Sequence, residues 1–405
     1  MRIRSLQGLR PNPESVSKVV SLPYDVVSTE EARAMAAGNP LSMLHLVRAE
    51  IDFPAGTNPY SDPVYAKAVE NFKKLQADGH LIRETEPCIY VYQQQMGEHV
   101  QQGIVALSHV DDYERDLFKK HEKTRVEKEN DRTRLTSEMN ANSGPVFLTY
   151  REEPGLTRIM REASAGAPLY DLTTEDGIRH TVWRIAGGDA VTEAFKHVPC
   201  TYVADGHHRA ASAARVGRER RAANPGHTGE EDYNWFLTVL FPGNQLNILP
   251  YNRIVHDLNG RSAAECLEAI KAIAPVSESA SDTPEQPGDV RFYLDGKWYA
   301  LTLTPEADAD PVSCLDVSML QERILAPILG IDDPRTSDRI DFVGGIRGTK
   351  YLKKEVDQGH GAIAFSMYPV LVDQLMAIAD AGQIMAPKST WFEPKLRSGF
   401  FIHTF

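Results

Sequence analysis

The stretch "TYVADGHHRAASAARV", residues 201–216, constrains this chain more than any other: an apolar, strand-like run stops at a glycine and restarts as an Ala-rich helix. Such a junction leaves the first backbone N–H groups of the helix without intrahelical partners, aimed off the end of the strand, where the helix dipole adds about half a positive charge. That is an anion site. Arg209 falls in the first turn, where its guanidinium can fork onto a phosphate or carboxylate, and an arginine is unfavourable there unless an anion answers it. The plainer alternative is that Asp205 caps the helix and that His207 and His208 form a polar rim. Adjacent histidines project in different directions, so His207 and His208 are not expected to chelate one metal together.

Similar apolar runs recur along the chain and predict mixed α/β material. "CIYVYQQQM" and "GIVALSHV" flank the turn-like "GEHV" as a hairpin; "PVFLTY", "HTVWRI", "CTYVA" and "NWFLTVLF" are further strands, with the helix after Gly206 crossing between the last two. An amphipathic helix is expected from Pro63 to Asp78, stopped by Gly79, and another from Val126 to Met139. Ser28 and Glu31 form a capping box. Asp295–Gly296 marks a hairpin turn inside "RFYLDGKWYALTL". Beyond it, "VSMLQERILAPILG" and "VLVDQLMAIADAG" predict helices on either side of a strand at "AIAFSM". The expected organisation is a core over 1–259, a small appended α/β layer over 260–310, and a C-terminal α/β segment over 311–405 packed on that core.

A net charge of −12 argues against a nucleic-acid partner. The one dense basic run, "RVGRERR", is most simply the solvated end of its helix, where cations suit the dipole. The chain shows neither a basic-then-apolar leader nor 18 consecutive apolar residues, so a cytoplasmic protein without a membrane partner is expected. Cys88, Cys200, Cys266 and Cys314 lack C-x-x-C spacing, which suits reduced thiols better than zinc or disulfides.

Two further clusters carry groups able to do chemistry. "KKHEKTRVEKENDRTR", residues 119–134, supplies His121, Glu122, Lys123, Thr124, Asp131, Arg132 and Arg134. A carboxylate beside a lysine and a threonine can serve as base, phosphate clamp and hydroxyl ligand, as phosphoryl transfer requires; the alternative is a solvated loop and helix surface. "APKSTWFEPK", residues 386–395, sets Lys388, Ser389 and Thr390 beside Pro387, Trp391 and Phe392, which either stack a ring and hold its phosphates or belong to the core. Near the start, "NPLSMLHLVRAE" ends in Arg48 and Glu50. There a strand-end arginine can grip a substrate carboxylate, or the two can form a surface ion pair. Walker, Rossmann, G-x-S-x-G and HExxH motifs are all absent.

"LPYDVVS", "NPLSMLHLVRAE", "HEKT", "DRTRL", "ADGHHR", "LPYNRIV" and "KSTWFEPKLRSG" occur in the order and approximate spacing of the bacterial and archaeal family named domain of unknown function 1015, which this chain resembles over nearly its whole length. "ADGHHRAASA" is also similar to the phosphate-binding turn of the ParB and sulfiredoxin superfamily, with Gly206 and Arg209 at the matching positions. That superfamily includes partition proteins, sulfiredoxin and free-serine kinases. No thiol sits in this turn and no DNA-binding element is evident, which turns the resemblance away from sulfinic-acid repair and partition.

The resemblance implies a ParB/sulfiredoxin-like mixed-sheet core and a cytoplasmic, nucleotide-dependent phosphotransferase of a small hydroxyl metabolite, with serine or phosphoserine the most specific candidate. Its rivals are a phosphatase of such a metabolite and a nucleotide sensor or scaffold without turnover. In that reading ATP or ADP with Mg²⁺ is the cofactor. Glu122, Asp205 and His207 are catalytic, with Glu122 or Asp205 also holding the metal. Gly206, His208, Arg209, Lys123, Thr124, Arg132, Lys388, Ser389 and Thr390 hold the nucleotide, and Arg48 binds substrate.

Overall fold

The computed structural model describes residues 1–405 except 335 and 387, so Pro387 of the third cluster lies outside the described residues. The chain forms two compact units, one built from 1–246 together with 394–405, the other from 247–393.

The first unit is organised on a nine-stranded mixed sheet. Along it run Phe118–Lys119, Thr201–Asp205, Val146–Tyr150, Trp235–Pro242, His99–His109, Cys88–Met96, Arg179–Ala186 and Tyr170–Thr173, with Ile3–Arg4 added on His99–His109. Val146–Tyr150 is buried along its whole length and runs parallel to Trp235–Pro242 but antiparallel to Thr201–Asp205. A continuous apolar run is what such a central strand requires. The hairpin Cys88–Met96 and His99–His109 closes tightly, with Met96 opposite His99 and Gly97 at φ 58°.

Two helices bring chemistry to this sheet. Val126–Met139 ends at the left-handed Asn140, and His207–Ala223 follows the strand Thr201–Asp205 at once. The latter buries Ala210, Ala213, Ala214, Val216 and Gly217, small residues that let it lie close on the sheet. At Gly217 a Cβ would come within 3.1 Å of Val110 and of the Tyr233 carbonyl. The arginines of "RVGRERR" are spent on the chain itself: Arg215 reaches Asn130 and Glu219, Arg218 reaches Glu114, Arg220 bonds Ser137 O and Asn140, and Arg221 bonds Asn234 and Asp111.

The second unit carries a six-stranded antiparallel sheet in the order Val276–Glu278, Lys297–Thr302, Asp289–Leu294, Ile363–Ser366, Tyr251–Val255, Ile340–Gly344. Asp295 and Gly296, at φ 48° and 80°, make the two-residue turn expected of Asp-Gly.

Three expectations change. The divisions fall at 246/247 and 393/394, because Tyr251–Val255 and Asp289–Leu294 share one sheet with Ile363–Ser366; residues 260–310 are therefore no separate layer, and 394–405 return to the first unit. The helix expected over 317–330 is α-helical only over Asp316–Leu320 before widening to a π turn at Gln321–Leu325. Arg48 is not at a strand end: it lies between the short helix Leu44–Val47 and the 3-10 turn Ala49–Asp52. No helix among the described residues is long and apolar enough to cross a membrane, and all four cysteines are free thiols.

Candidate functional site

The strand Thr201–Asp205 carries a bulge between Val203 and Asp205, which re-aims the last side chain of the strand. Gly206 then turns the chain at φ 90°, ψ 33° and serves as the N-cap with no side-chain cap, so Asp205 is not the capping residue. A Cβ at Gly206 would lie 3.0 Å from Arg209 Cζ, since the guanidinium folds back over the turn. Both the backbone angle and the close approach require glycine.

Asp205 stands between two cations. Its Oδ1 accepts from Lys395 Nζ at 3.0 Å and its Oδ2 from Arg209 Nη2 at 2.5 Å. Burial pushes the Asp205 carboxyl up, but Lys395 and then Arg209 outweigh it and hold the group well below the usual carboxylate range. Arg209 also donates to Pro145 O and has Asp25 Oδ2 3.7 Å away. The anions that answer Arg209 are thus the chain's own. Its Nε is buried without a hydrogen-bond partner, and the residue lines a cavity of about 30 Å³ with Tyr24, Arg132 and Ser398, enough for a water molecule.

The second sequence cluster meets this junction through His208, whose Nε2 accepts the Arg125 backbone N–H at 3.0 Å. That bond assigns the proton of neutral His208 to Nδ1 and ties the 120–125 loop to the helix start. Glu122 Oε2 is thereby 4.0 Å from His207 Nδ1, and the His121 and His207 rings meet edge to face with centroids 4.6 Å apart. Glu122 is half-exposed while both histidines are buried. Burial pulls His121 down to about 4; it also pulls His207 far below its ordinary value, with His121 as the next cause. Both are neutral imidazoles at neutral pH.

The remaining expected residues divide into those tied up nearby and those elsewhere. Lys123 is exposed on the same loop. Thr124 Oγ1 donates to Glu129 at 2.9 Å. Arg132 bonds Asp131 through Nε and Nη2 at 2.9 and 2.6 Å and stacks over Tyr24 at 4.0 Å. Arg48 pairs with buried Glu50 at 3.2 Å and donates to Thr29. Lys388, Ser389 and Thr390 belong to the second unit, where Lys388 Nζ lies 5.5 Å from the Tyr251 ring and buried Ser389 donates to Ala386 O at 2.6 Å. A concavity of about 1060 Å³ elsewhere in the first unit, lined among others by Arg4, Lys73, Arg83 and Thr404, contains none of the residues named from sequence.

Three participants were not named from sequence: Lys395, Asp25 and Tyr24. The quoted motifs "KSTWFEPKLRSG" and "LPYDVVS" contained them, and that was the only signal. For metals, Mg²⁺ requires oxygen donors, and both oxygens of Asp205 accept from cations. Glu122 instead groups with His121 and His207, the donor atoms of all three lying within 4.8 Å of one another.

The buried imidazoles set a pH limit. In the first unit burial pulls His121 and His403 down to about 4 and His180 to about 3. A folded-state value below the unfolded one means the stability is fully present above about 6.5 and is lost as pH falls towards the folded value, each group costing on the order of 3 kcal/mol by pH 4. The melting temperature of the first unit is therefore expected to fall steeply between pH 6.5 and 4. A flat melting temperature from pH 7 to 4.5 would show that these rings take up protons without loss of fold.

Comparison with known proteins adds the following. The family model described as "Protein of unknown function (DUF1015)" matches residues 3–318. No match is found among curated proteins. Among solved structures, a conserved hypothetical protein from Pyrococcus furiosus aligns at a TM-score of 0.36 and 12% identity over 73% of this chain and 94% of its own. A free serine kinase in complex with AMP aligns at 0.38 and 11%, over 73% and 91%. SbnI with a C-terminal truncation, from Staphylococcus aureus, aligns at 0.38 and 11%, over 73% and 85%.

Proposed function

The chain belongs to the DUF1015 family, and from that premise we propose that it is a nucleotide-dependent phosphotransferase acting on a small hydroxyl-bearing metabolite, with free serine the acceptor to which the "ADGHHR" resemblance points. The observation that carries this reading is the His208 to Arg125 bond, which brings the loop bearing Glu122 and Lys123 to the N-terminus of the His207–Ala223 helix.

Phosphoryl transfer asks a protein mainly for positioning and for positive charge where negative charge develops. The N-terminus of the His207–Ala223 helix, with its dipole, suits a phosphate chain. A bound ATP or ADP with its Mg²⁺ supplies the transferable group. Glu122, half-exposed and next to a neutral His207, accepts the acceptor's hydroxyl proton. Lys123, free to swing on the exposed loop, neutralises charge. Asp205 keeps Lys395 and Arg209 in place, so its role here is to hold the cations.

Phosphorus NMR on the full chain with ATP or ADP, Mg²⁺ and serine, run in both directions, tests the proposal. A new phosphomonoester resonance appearing as the nucleotide loses one phosphate is the expected result. Free phosphate alone would replace this reading with a phosphatase, and nucleotide binding with no product would replace it with a sensor.

A further inference from the structure

We propose that His121, Glu122 and His207 form a binding site for one divalent transition-metal ion, with the donor preference of zinc. Two imidazoles and a carboxylate are borderline donors that suit Zn²⁺ or its neighbours and are poor for Mg²⁺, which takes oxygen ligands in a near-ideal octahedron. The three donor atoms already lie within 4.8 Å of one another. Around a tetrahedral ion with bonds of roughly 2.0–2.2 Å, donors stand roughly 3.3–3.5 Å apart, so the site closes by movements of about 1 Å. Glu122, at 44% exposure the most solvent-accessible of the three, is the side chain with most room for that adjustment.

His121 and His207 are set at 85° to each other with ring centroids 4.6 Å apart. His207 is more than nine-tenths buried; its Nε2 has no hydrogen-bond partner, and its Nδ1, the nitrogen turned to Glu122, stands 4.0 Å from that carboxylate, beyond hydrogen-bond reach. A buried imidazole nitrogen without a partner costs free energy, and an ion bound at that nitrogen removes the cost. Three protein ligands leave a fourth position for water or a ligand oxygen, the pattern of an open rather than a closed structural site.

The site shares Glu122 and His207 with the proposed phosphoryl transfer, and its occupancy is read without turnover. Metal-stripped full-length protein is titrated with Co²⁺ and then with Zn²⁺. One Co²⁺ per chain is expected, with the visible absorption of a four-coordinate site, displaced by stoichiometric Zn²⁺ and indifferent to excess Mg²⁺. Affinity should fall at least ~100-fold in His207→Ala and at least ~10-fold in Glu122→Gln, whose half-exposed position keeps the fold intact; near-UV circular dichroism confirms folding of both. Absence of the Co²⁺ band in the wild type, or equal binding by folded Glu122→Gln and His207→Ala, overturns the assignment. Metal binding without phosphoryl transfer overturns only the function proposed above, and transfer by a chain that binds no Co²⁺ overturns only the metal site.

Discussion

Replacing Asp205 by asparagine lowers the stability of the first unit by about 3 kcal/mol, because it leaves Lys395 and Arg209 with partners of their own charge shell removed while the side-chain shape is kept. Breaking a buried pair by neutralising one partner costs about 3–5 kcal/mol, since the other remains desolvated. The value sits at the low end of that range because 22% of the Asp205 side chain meets solvent and Asp25 stays near Arg209. Calorimetry of the full chain should show the melting temperature of the first unit falling by roughly 6–12 °C. Adding Lys395→Met to the Asn variant should recover part of the loss by removing one stranded charge. An Asn variant that melts within a degree of wild type would mean that the three groups are hydrated and nearly independent.

Glu122→Gln is expected to act on rate and not on fold. It preserves size, removes the proton acceptor nearest His207, and changes a side chain that is 44% exposed. Once phosphoryl transfer is in hand, turnover should fall by ~100-fold or more while nucleotide binding, measured calorimetrically, stays within a few-fold. Unchanged turnover would return Glu122 to the solvated surface. A parallel loss of binding would make it a ligand contact in place of a base.

The sequence disclosed the strands and the junction well because their signals are local. Val126–Met139 was legible as a helix, and Gly206 as the turn between strand and helix. What local pattern does not carry is distance along the chain. Lys395 and Asp205 meet across 190 residues, and the lysine at the other end of "KSTWFEPK", Lys388, was the one named from sequence. Arg48 was misplaced because "LHLV" is too short for its periodicity to separate strand from helix. The layer expected over 260–310 rested on the Asp-Gly hairpin and the polar loop before it, whereas the sheet that defines the second unit already begins with Tyr251–Val255. His121 and His207 were each named within their own motifs, but only folding sets one ring against the other.

The return of residues 394–405 to the first unit governs when the site can exist during synthesis. A ribosome delivers Asp205, Arg209 and the whole nine-stranded sheet early, but it must extrude all of 247–393 before Lys395 appears. Until then Asp205 has only Arg209 and the nascent sheet lacks the hydrogen bond from Gln94 to the Lys395 carbonyl. Domains usually fold as they emerge, and a contact closed over so long a separation forms late. The intact charge cluster therefore works as a receipt: only a chain translated past residue 395, with its second unit already made, carries it.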